Sequence, residues 1–253
     1  TKYDPRENAS SLYLKAKNLY AQNKFELSIP IFFNISKSYP HTPEAKSSLY
    51  LMAEAYYKLQ DYYNSYLFYE EYIKQYPGTE QLQKILAIQY EIGSLLIRNK
   101  GKKSSFLGIN FYSYDAFGVE ILEKLIQAAP YADFADDAQL TIANYHFKQK
   151  NYKEAVDAYE KLIKEYPRSE WRPFAQYQIA ICSKKQFVAI DYDAESLRVA
   201  QKQFEEYIRQ NPDDKHINDA KNKQTEIFET LAQKELMVRS EEHTSELQSP
   251  NTI

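Results

Sequence analysis

The sequence predicts an all-α fold, a solenoid of about five helix pairs followed by one C-terminal helix. Prolines at positions 40, 77, 130, 167 and 212 close similar amphipathic segments, with spacings of 37, 53, 37 and 45 residues. Glycine is scarce, with 5 residues in 253, and the alternating pattern of strands is poorly represented. Self-similarity at such a period is typical of helical repeats that stack on one another.

The recurring segment has a fixed arrangement of small and large side chains. In segment 151–167 the apolar residues fall at three- and four-residue steps and form one helical stripe. Pro167 ends this helix because proline lacks the N–H group that a continuing helix needs. A small residue stands twelve positions before each closing proline, and a large one stands eight positions before it. The small residues are Ser28, Ser65, Gly118, Ala155 and Ala200, and the large ones are Phe32, Tyr69, Leu122, Tyr159 and Phe204.

The elements follow in order from this pattern. After a disordered lead-in at 1–8, we predict repeats at about 9–40, 43–77, 80–130, 132–167 and 169–212, and a final helix at 213–238. The first helices of the pairs are predicted at 9–22, 43–59, 80–99, 132–149 and 169–184, and the second helices at 25–38, 62–75, 115–128, 152–165 and 194–209. An insertion at 98–114 and a loop at 186–192 interrupt the third and fifth pairs. Residues 239–253 resemble a translated sequencing adapter, so we assign them to a non-native tail and exclude them from functional arguments.

A further small residue lies on the first helix of each pair. Ala16, Ala53 and Ala143 stand twenty-four positions before their prolines, and Gly93 and Ala180 align with them where insertions intervene. The order small, aromatic, small, aromatic, proline over two helices resembles the tetratricopeptide repeat. This resemblance implies a right-handed superhelical solenoid in which the first helices line a concave groove.

Composition and motifs argue against several classes of function. The net charge is -3 with mixed signs, so there is no basic footprint for nucleic acid. The sequence contains no apolar run long enough to predict a transmembrane helix. The single cysteine, Cys182, is predicted to be a small core residue. The histidines lack metal-ligand spacing, and neither a phosphate loop nor a nucleophile motif is present. We therefore predict a protein that is not an enzyme, with no catalytic residue, metal or cofactor.

The predicted groove carries a series of tyrosines and two charged residues. Rigid aromatic side chains bind an extended peptide with little loss of entropy, which makes this surface a candidate peptide groove. The alternative is that the tyrosines only fill space between neighbouring helices. The candidate residues are Tyr13, Tyr50, Tyr90 and Tyr177, three positions before the small residue; Lys17 and Glu54, one after it; and Tyr20 and Tyr57, four after it.

The insertion at 98–114 is a second candidate surface. Its first half is basic and its second half is apolar and aromatic, and loops of this length commonly have a function. It could dock a partner or contact anionic lipid head groups. The alternative is that its aromatic residues fold back onto the solenoid. The candidate residues are Lys102, Lys103, Phe106, Leu107, Phe111 and Tyr112.

Two phrases and the repeat architecture carry a closer resemblance. The phrases AEAYYKLQDYYNSY and YPRSEWRPFAQYQIA, with five proline-ended repeats and an extended third pair, resemble the BamD family of outer-membrane β-barrel assembly lipoproteins over about residues 9–238. The resemblance implies a scaffold on the periplasmic side of the outer membrane, held there peripherally by a lipidated N-terminal cysteine that this sequence lacks. It implies barrel-assembly subunits and unfolded barrel proteins as partners. The alternative is a periplasmic tetratricopeptide adaptor for envelope division or peptidoglycan machinery, similar to the Tol–Pal coordinator.

Overall fold

The computed structural model describes residues 8–99, 114–189 and 194–248, and all regular structure in these ranges is helical. The prediction of an all-α chain of consecutive helix pairs is confirmed. The helices of the described ranges are α1 (Ala9–Ala21), α2 (Phe25–Ser38), α3 (Pro43–Lys58), α4 (Tyr62–Gln75), α5 (Leu82–Asn99), α6 (Tyr114–Ala128), α7 (Ala135–Lys148), α8 (Tyr152–Glu165), α9 (Arg172–Ala189), α10 (Ala194–Gln210) and α11 (Ile217–Gln248).

The chain divides into two compact units at the proline that closes the third repeat. Unit 1, Thr1–Pro130, contains α1 to α6, and unit 2, Tyr131–Ile253, contains α7 to α11. In unit 1 each helix packs against the next one along the chain, and α1 also packs against α3. In unit 2 the helices α7 to α11 likewise pack in consecutive order. Each unit is therefore built from contacts between neighbouring elements, as expected for helical repeats.

The repeated small and large residues form the core of the helix pairs. A small side chain on one helix lets the other approach closely, and the large side chain fills the remaining space. Gly93 and Gly118 face each other where α5 and α6 cross, and a Cβ atom on Gly118 would lie 2.7 Å from the Gly93 carbonyl oxygen. Each of the following side chains is 0% exposed: Ser28, Ser65, Ala155, Ala200, Phe32, Tyr69, Leu122, Tyr159 and Phe204.

Local signals determine where several helices begin. The Asn8 side chain accepts a hydrogen bond from the Ser11 N–H at 2.8 Å and thereby caps α1. The Thr42 hydroxyl accepts one from the Ala45 N–H at 3.2 Å at the start of α3, where Pro43 occupies the first turn. These caps satisfy backbone N–H groups that have no partner inside the helix.

The turn inside three of the pairs has one backbone conformation. Asn23, Gln60 and Lys150 have φ values of 58°, 60° and 64°, in the left-handed region. The N–H of the following residue then donates back to a carbonyl of the first helix, at 2.9 Å from Lys24 to Leu19. This geometry ends one helix and reverses the chain within three residues.

Some predicted helix ends were wrong. α7 begins at Ala135 rather than at 132, because a turn joins the Ala135 N–H to the Ala132 carbonyl at 2.9 Å. α9 begins three residues late and continues to 189, through part of the predicted loop at 186–192. α5 and α11 also begin later than predicted, and α11 continues past 238 to 248, since the intervening sequence contains neither proline nor glycine to stop it.

The described ranges contain no candidate membrane span or metal site, and the cysteine is buried. Across the described ranges, no helix is both long and apolar enough to span a bilayer. In the same ranges no group of His, Cys, Asp and Glu side chains is placed to hold a metal ion. Cys182 is completely buried, and burial raises its thiol pKa to about 12. The thiol therefore stays protonated at neutral pH and packs as a small core side chain.

Candidate functional site

An open groove of about 740 Å³ lies in unit 1 between α1, α3 and the beginning of α5. The turn at residues 78–81 forms one end of it, and Gly78 in that turn has a φ of 77°. We call this feature the N-terminal groove. Its principal lining side chains are Tyr13, Lys17, Lys46, Tyr50, Tyr72 and Lys84.

The aromatic wall of the N-terminal groove is held in place by the core behind it. The Tyr13 ring lies 6.2 Å from the Phe32 ring. The Tyr50 ring packs edge-on against two others, at 5.9 Å from Tyr69 and 5.5 Å from Tyr72. Such tilted pairs are favourable arrangements of aromatic rings. The wall is therefore ordered before any ligand binds, which lowers the entropy lost on binding.

Three lysines stand over tyrosines around the groove. Among the described residues, Lys17 and Lys46 have no carboxylate within ion-pair distance, whereas Lys84 pairs with Glu54 at 3.0 Å. An ammonium group above an aromatic face is attracted to the ring. The rim of the groove therefore favours an anionic ligand. The ammonium nitrogen lies 6.0 Å from the ring centre for Lys17 over Tyr13, 5.3 Å for Lys46 over Tyr76 and 5.2 Å for Lys84 over Tyr50.

The Glu54 carboxylate joins several polar groups beside the groove. Its Oε1 accepts hydrogen bonds from the Tyr50 hydroxyl and the Lys84 ammonium, both at 3.0 Å. Its Oε2 accepts one from the Tyr20 hydroxyl at 3.3 Å. Burial, together with the adjacent Glu54 charge, raises the pKa of Tyr20 to about 12. Hydrogen bonds to Tyr50 and Glu54 raise the pKa of Lys84. At neutral pH the Lys84 ammonium and the hydroxyls of Tyr20 and Tyr50 therefore keep their protons.

The structure brings together five of the eight residues predicted for the groove. Tyr13, Lys17 and Tyr50 line it, and Tyr20 and Glu54 lie beside it through the hydrogen bonds described above. The other three lie elsewhere, as described next. The candidate residues of the insertion, from 102 to 112, lie outside the described ranges.

Tyr57, Tyr90 and Tyr177 do not line the N-terminal groove. Tyr57 packs edge-on against Tyr62 at 5.7 Å, and its pKa is raised by burial and by a hydrogen bond to Glu91. Tyr90 is half-buried on α5. Tyr177 is in unit 2, where it is buried, donates to Asp219 and stacks on the His216 ring at 4.7 Å. The repeat position alone therefore does not decide whether a tyrosine is available for a ligand.

Sequence reasoning missed three of the six principal lining side chains of the groove. Lys46 could have been found, because it lies one helical turn before Tyr50 on the same face of α3. Tyr72 faces the groove from α4, the second helix of its pair, which the repeat pattern assigns to the other side. Lys84 binds Glu54, which lies thirty positions earlier in the sequence. No local sequence pattern predicts a contact between residues so far apart.

A family model described as YfiO, outer membrane lipoprotein, matches residues 5–90 and 114–243. The two matched segments together span most of the chain and leave out the insertion. All the residues of the N-terminal groove lie within the first segment.

A curated relative in Caulobacter vibrioides is the outer membrane protein assembly factor BamD. It is 23% identical over 120 residues, which are 47% of this chain and 39% of the relative. The alignment thus spans about two fifths of the relative's length.

Several solved structures of repeat proteins are distantly similar. A fragment of MamA from Desulfovibrio magneticus matches with 14% identity and a TM-score of 0.39, over 82% of this chain and 98% of that chain. A tetratricopeptide repeat protein from Parabacteroides merdae matches with 12% identity and a TM-score of 0.40, over 96% of this chain and 81% of that chain. Similarities at this level support no argument about function.

Proposed function

The chain belongs to the YfiO family of outer membrane lipoproteins, and from this membership we propose that it is a non-enzymatic scaffold of outer-membrane β-barrel assembly. In this proposal it acts on the periplasmic side of the outer membrane, where a lipid on the full-length protein anchors it peripherally. The name of the Caulobacter relative, an outer membrane protein assembly factor, supports the same process.

The N-terminal groove is the part of the chain that we propose binds unfolded barrel proteins. The observation that carries this proposal is the pre-ordered aromatic wall of Tyr13 and Tyr50 beneath a lysine-rich rim. Strands of barrel proteins alternate apolar and polar residues, so an extended strand segment presents side chains for both surfaces. Binding of the barrel-forming subunit through the later repeats is the second part of the proposal and follows from family membership.

The groove proposal is tested with a labelled synthetic peptide that copies one strand of an outer-membrane barrel protein. Its affinity is measured by fluorescence anisotropy for the wild type and for the double variant Lys17→Ser with Lys46→Ser. Both lysines are exposed, so the fold is expected to be unaffected. We expect the double variant to bind about tenfold more weakly, since it loses two charged contacts worth together about 1.4 kcal/mol.

The matched control is Lys15→Ser with Lys58→Ser, which removes the same charge from exposed positions of α1 and α3 outside the groove. Its affinity should stay within about twofold of the wild type, because distant surface charges are screened by salt. Equal weakening in both double variants would show that only net charge matters, and no weakening in either would place the peptide elsewhere.

The scaffold proposal has a separate test. The purified periplasmic domain of a barrel-forming subunit from the same cells is titrated into the protein in a calorimeter. The proposal expects saturable binding with a defined stoichiometry. Absence of heat and of a shift in sedimentation at micromolar concentrations would contradict it and would leave the groove result unaffected.

A further inference from the structure

Tyr69 and Tyr159 occupy the same place in the second and fourth repeats, eight residues before the closing proline. Both are completely buried. The Tyr159 hydroxyl donates to the Asn144 side-chain oxygen at 2.7 Å. The Tyr69 hydroxyl has no hydrogen-bond partner among the described residues. A buried polar group without a partner is destabilising by about 1–3 kcal/mol, so the difference between the two repeats needs a physical reason.

The reason lies in the residue that corresponds to Asn144, which is Glu54. Each directly follows the small residue of the first helix in its repeat. Glu54 is turned away from Tyr69 and toward Tyr50 and Lys84 at the groove. Tyr50, whose hydroxyl donates to Glu54 at 3.0 Å, packs edge-on against the Tyr69 ring at 5.9 Å, so Glu54 and Tyr69 lie on either side of one side chain. Glu54 therefore has two possible sets of partners and uses one of them.

We propose that Glu54 is an exchangeable occupant of the N-terminal groove. A carboxylate of the ligand takes its place on Lys84 and Tyr50, and Glu54 moves to the Tyr69 hydroxyl. This inference rests on the proposed peptide binding and names the chemical class that the groove selects, an extended peptide segment that carries a carboxylate.

The exchange replaces the long hydrogen bond from Tyr20 to Glu54, at 3.3 Å, with one from Tyr69. Lys84 and Tyr50 hold a carboxylate before and after it, so neither group loses its partner. The Tyr69 hydroxyl gains the acceptor that its counterpart Tyr159 already has. A ligand shifts an equilibrium between two arrangements only if it interacts differently with them. The two arrangements differ in whether Lys84 is free to bind the ligand. A ligand carboxylate can pair with Lys84 only after Glu54 has moved.

The charges around the groove also favour one additional carboxylate. Lys17, Lys46 and Lys84 line it, against Glu80 at the turn and Glu54 beside it. One positive charge therefore remains uncompensated in the empty groove. A single ligand carboxylate neutralises it, and a neutral end group does not.

The test compares three forms of one labelled strand peptide. The first has a free C-terminal carboxylate, the second a C-terminal amide, and the third an amide with aspartate as its last residue. Affinities are measured for the wild type, Glu54→Gln, Tyr69→Phe and the control Glu71→Gln. The control removes one negative charge from α4, where the Glu71 carboxylate accepts a hydrogen bond from Gln75. The third peptide distinguishes a terminal carboxylate from a side-chain carboxylate.

We expect the wild type to prefer a carboxylate peptide over the amide. Glu54→Gln should bind the carboxylate peptide about three- to tenfold more tightly, because the neutral amide competes less strongly for Lys84 than a charged acceptor does. Tyr69→Phe should bind it about three- to tenfold more weakly, because the displaced Glu54 loses its second partner. Neither substitution should change the affinity for the amide, and Glu71→Gln should change neither affinity.

Three results would overturn the exchange. If the wild type binds acid and amide peptides equally and Glu54→Gln changes neither, the exchange is wrong while peptide binding stands. If Glu54→Gln weakens binding of the carboxylate peptide, Glu54 contacts the ligand directly instead of giving way to it. If none of the three peptides binds to the wild type or to Glu54→Gln, both the exchange and the groove proposal fail.

Discussion

At the residue scale, tyrosine serves this chain in two ways. Its ring fills the space beside a small residue of the facing helix, and its hydroxyl then needs a polar partner in or near the core. Tyr159 finds that partner in Asn144, at 2.7 Å. Tyr69 fills the same space in its own repeat without one. Two residues with equal burial should therefore respond differently to loss of the hydroxyl.

The pair Tyr159→Phe and Tyr69→Phe tests this difference. Tyr159→Phe removes a buried hydrogen bond and leaves Asn144 without it, so we expect the free energy of unfolding to fall by about 1–2 kcal/mol. Tyr69→Phe removes a hydroxyl that has no partner, so stability should stay the same or rise slightly. Urea unfolding monitored by circular dichroism gives both values. Equal losses would show that the Tyr69 hydroxyl is bonded in solution.

At the element scale, helix pairs are defined by how closely their axes approach. In the α5–α6 pair glycine stands on both sides of the crossing. A Cβ on Gly118 would meet the backbone oxygen of Gly93, whereas one on Gly93 would first meet the end of the Leu122 side chain at 2.7 Å. A side chain can adjust its rotamer, but a carbonyl in a helix cannot move without disturbing the helix.

We therefore expect Gly118→Ala to lower the free energy of unfolding by about 1–3 kcal/mol through overpacking. Gly93→Ala should cost less, because its nearest contact is a side-chain atom of Leu122 and not a backbone oxygen. Chemical unfolding of both variants supplies the measurement. Helix propensity alone predicts the opposite sign, a gain of about 1 kcal/mol for glycine to alanine. A gain in both variants would mean that the two helices are farther apart than the structure shows.

The helices also show which features of the fold could be predicted from the sequence. The small and large positions could be predicted because they repeat at fixed distances from a proline, and the periodicity of one helix face is a local property. Helix ends were predicted less well, as at the C-terminal end of α9, because the sequence from 174 to 193 contains neither proline nor glycine. Within the groove, Tyr13, Lys17 and Tyr50 followed from the repeat register. The Lys84–Glu54 pair did not, since it depends on a tertiary contact between α3 and α5.

At the scale of the whole molecule, buried tyrosines make stability depend on alkaline pH. Burial raises the pKa of tyrosines in both units, including Tyr20, Tyr66, Tyr159 and Tyr207. In the unfolded chain tyrosine titrates near a pKa of about 10. Between that value and the higher pKa of the folded state, the folded chain binds more protons than the unfolded chain. Stability is therefore fully present below pH about 10 and falls as the pH rises further.

We expect the midpoint of urea unfolding to decrease steadily as the pH is raised above about 10, together with a cooperative appearance of tyrosinate absorbance as the chain unfolds. Tyr20, whose pKa is about 12, should titrate later than the tyrosines of the unfolded chain. An ultraviolet titration combined with circular dichroism checks this. Ionisation of all the tyrosines near pH 10 in a chain that remains folded would contradict the burial described here.

Photo-crosslinking tests whether a strand peptide binds in the N-terminal groove. A benzophenone amino acid is placed at position 47, which lines the groove, and in a second protein at position 58, which is exposed on α3 outside it. Each is illuminated with the strand peptide that carries a free carboxylate. We expect a covalent adduct from position 47 and none from position 58. An adduct from position 58 alone, or equal adducts from both, would contradict peptide binding in the groove.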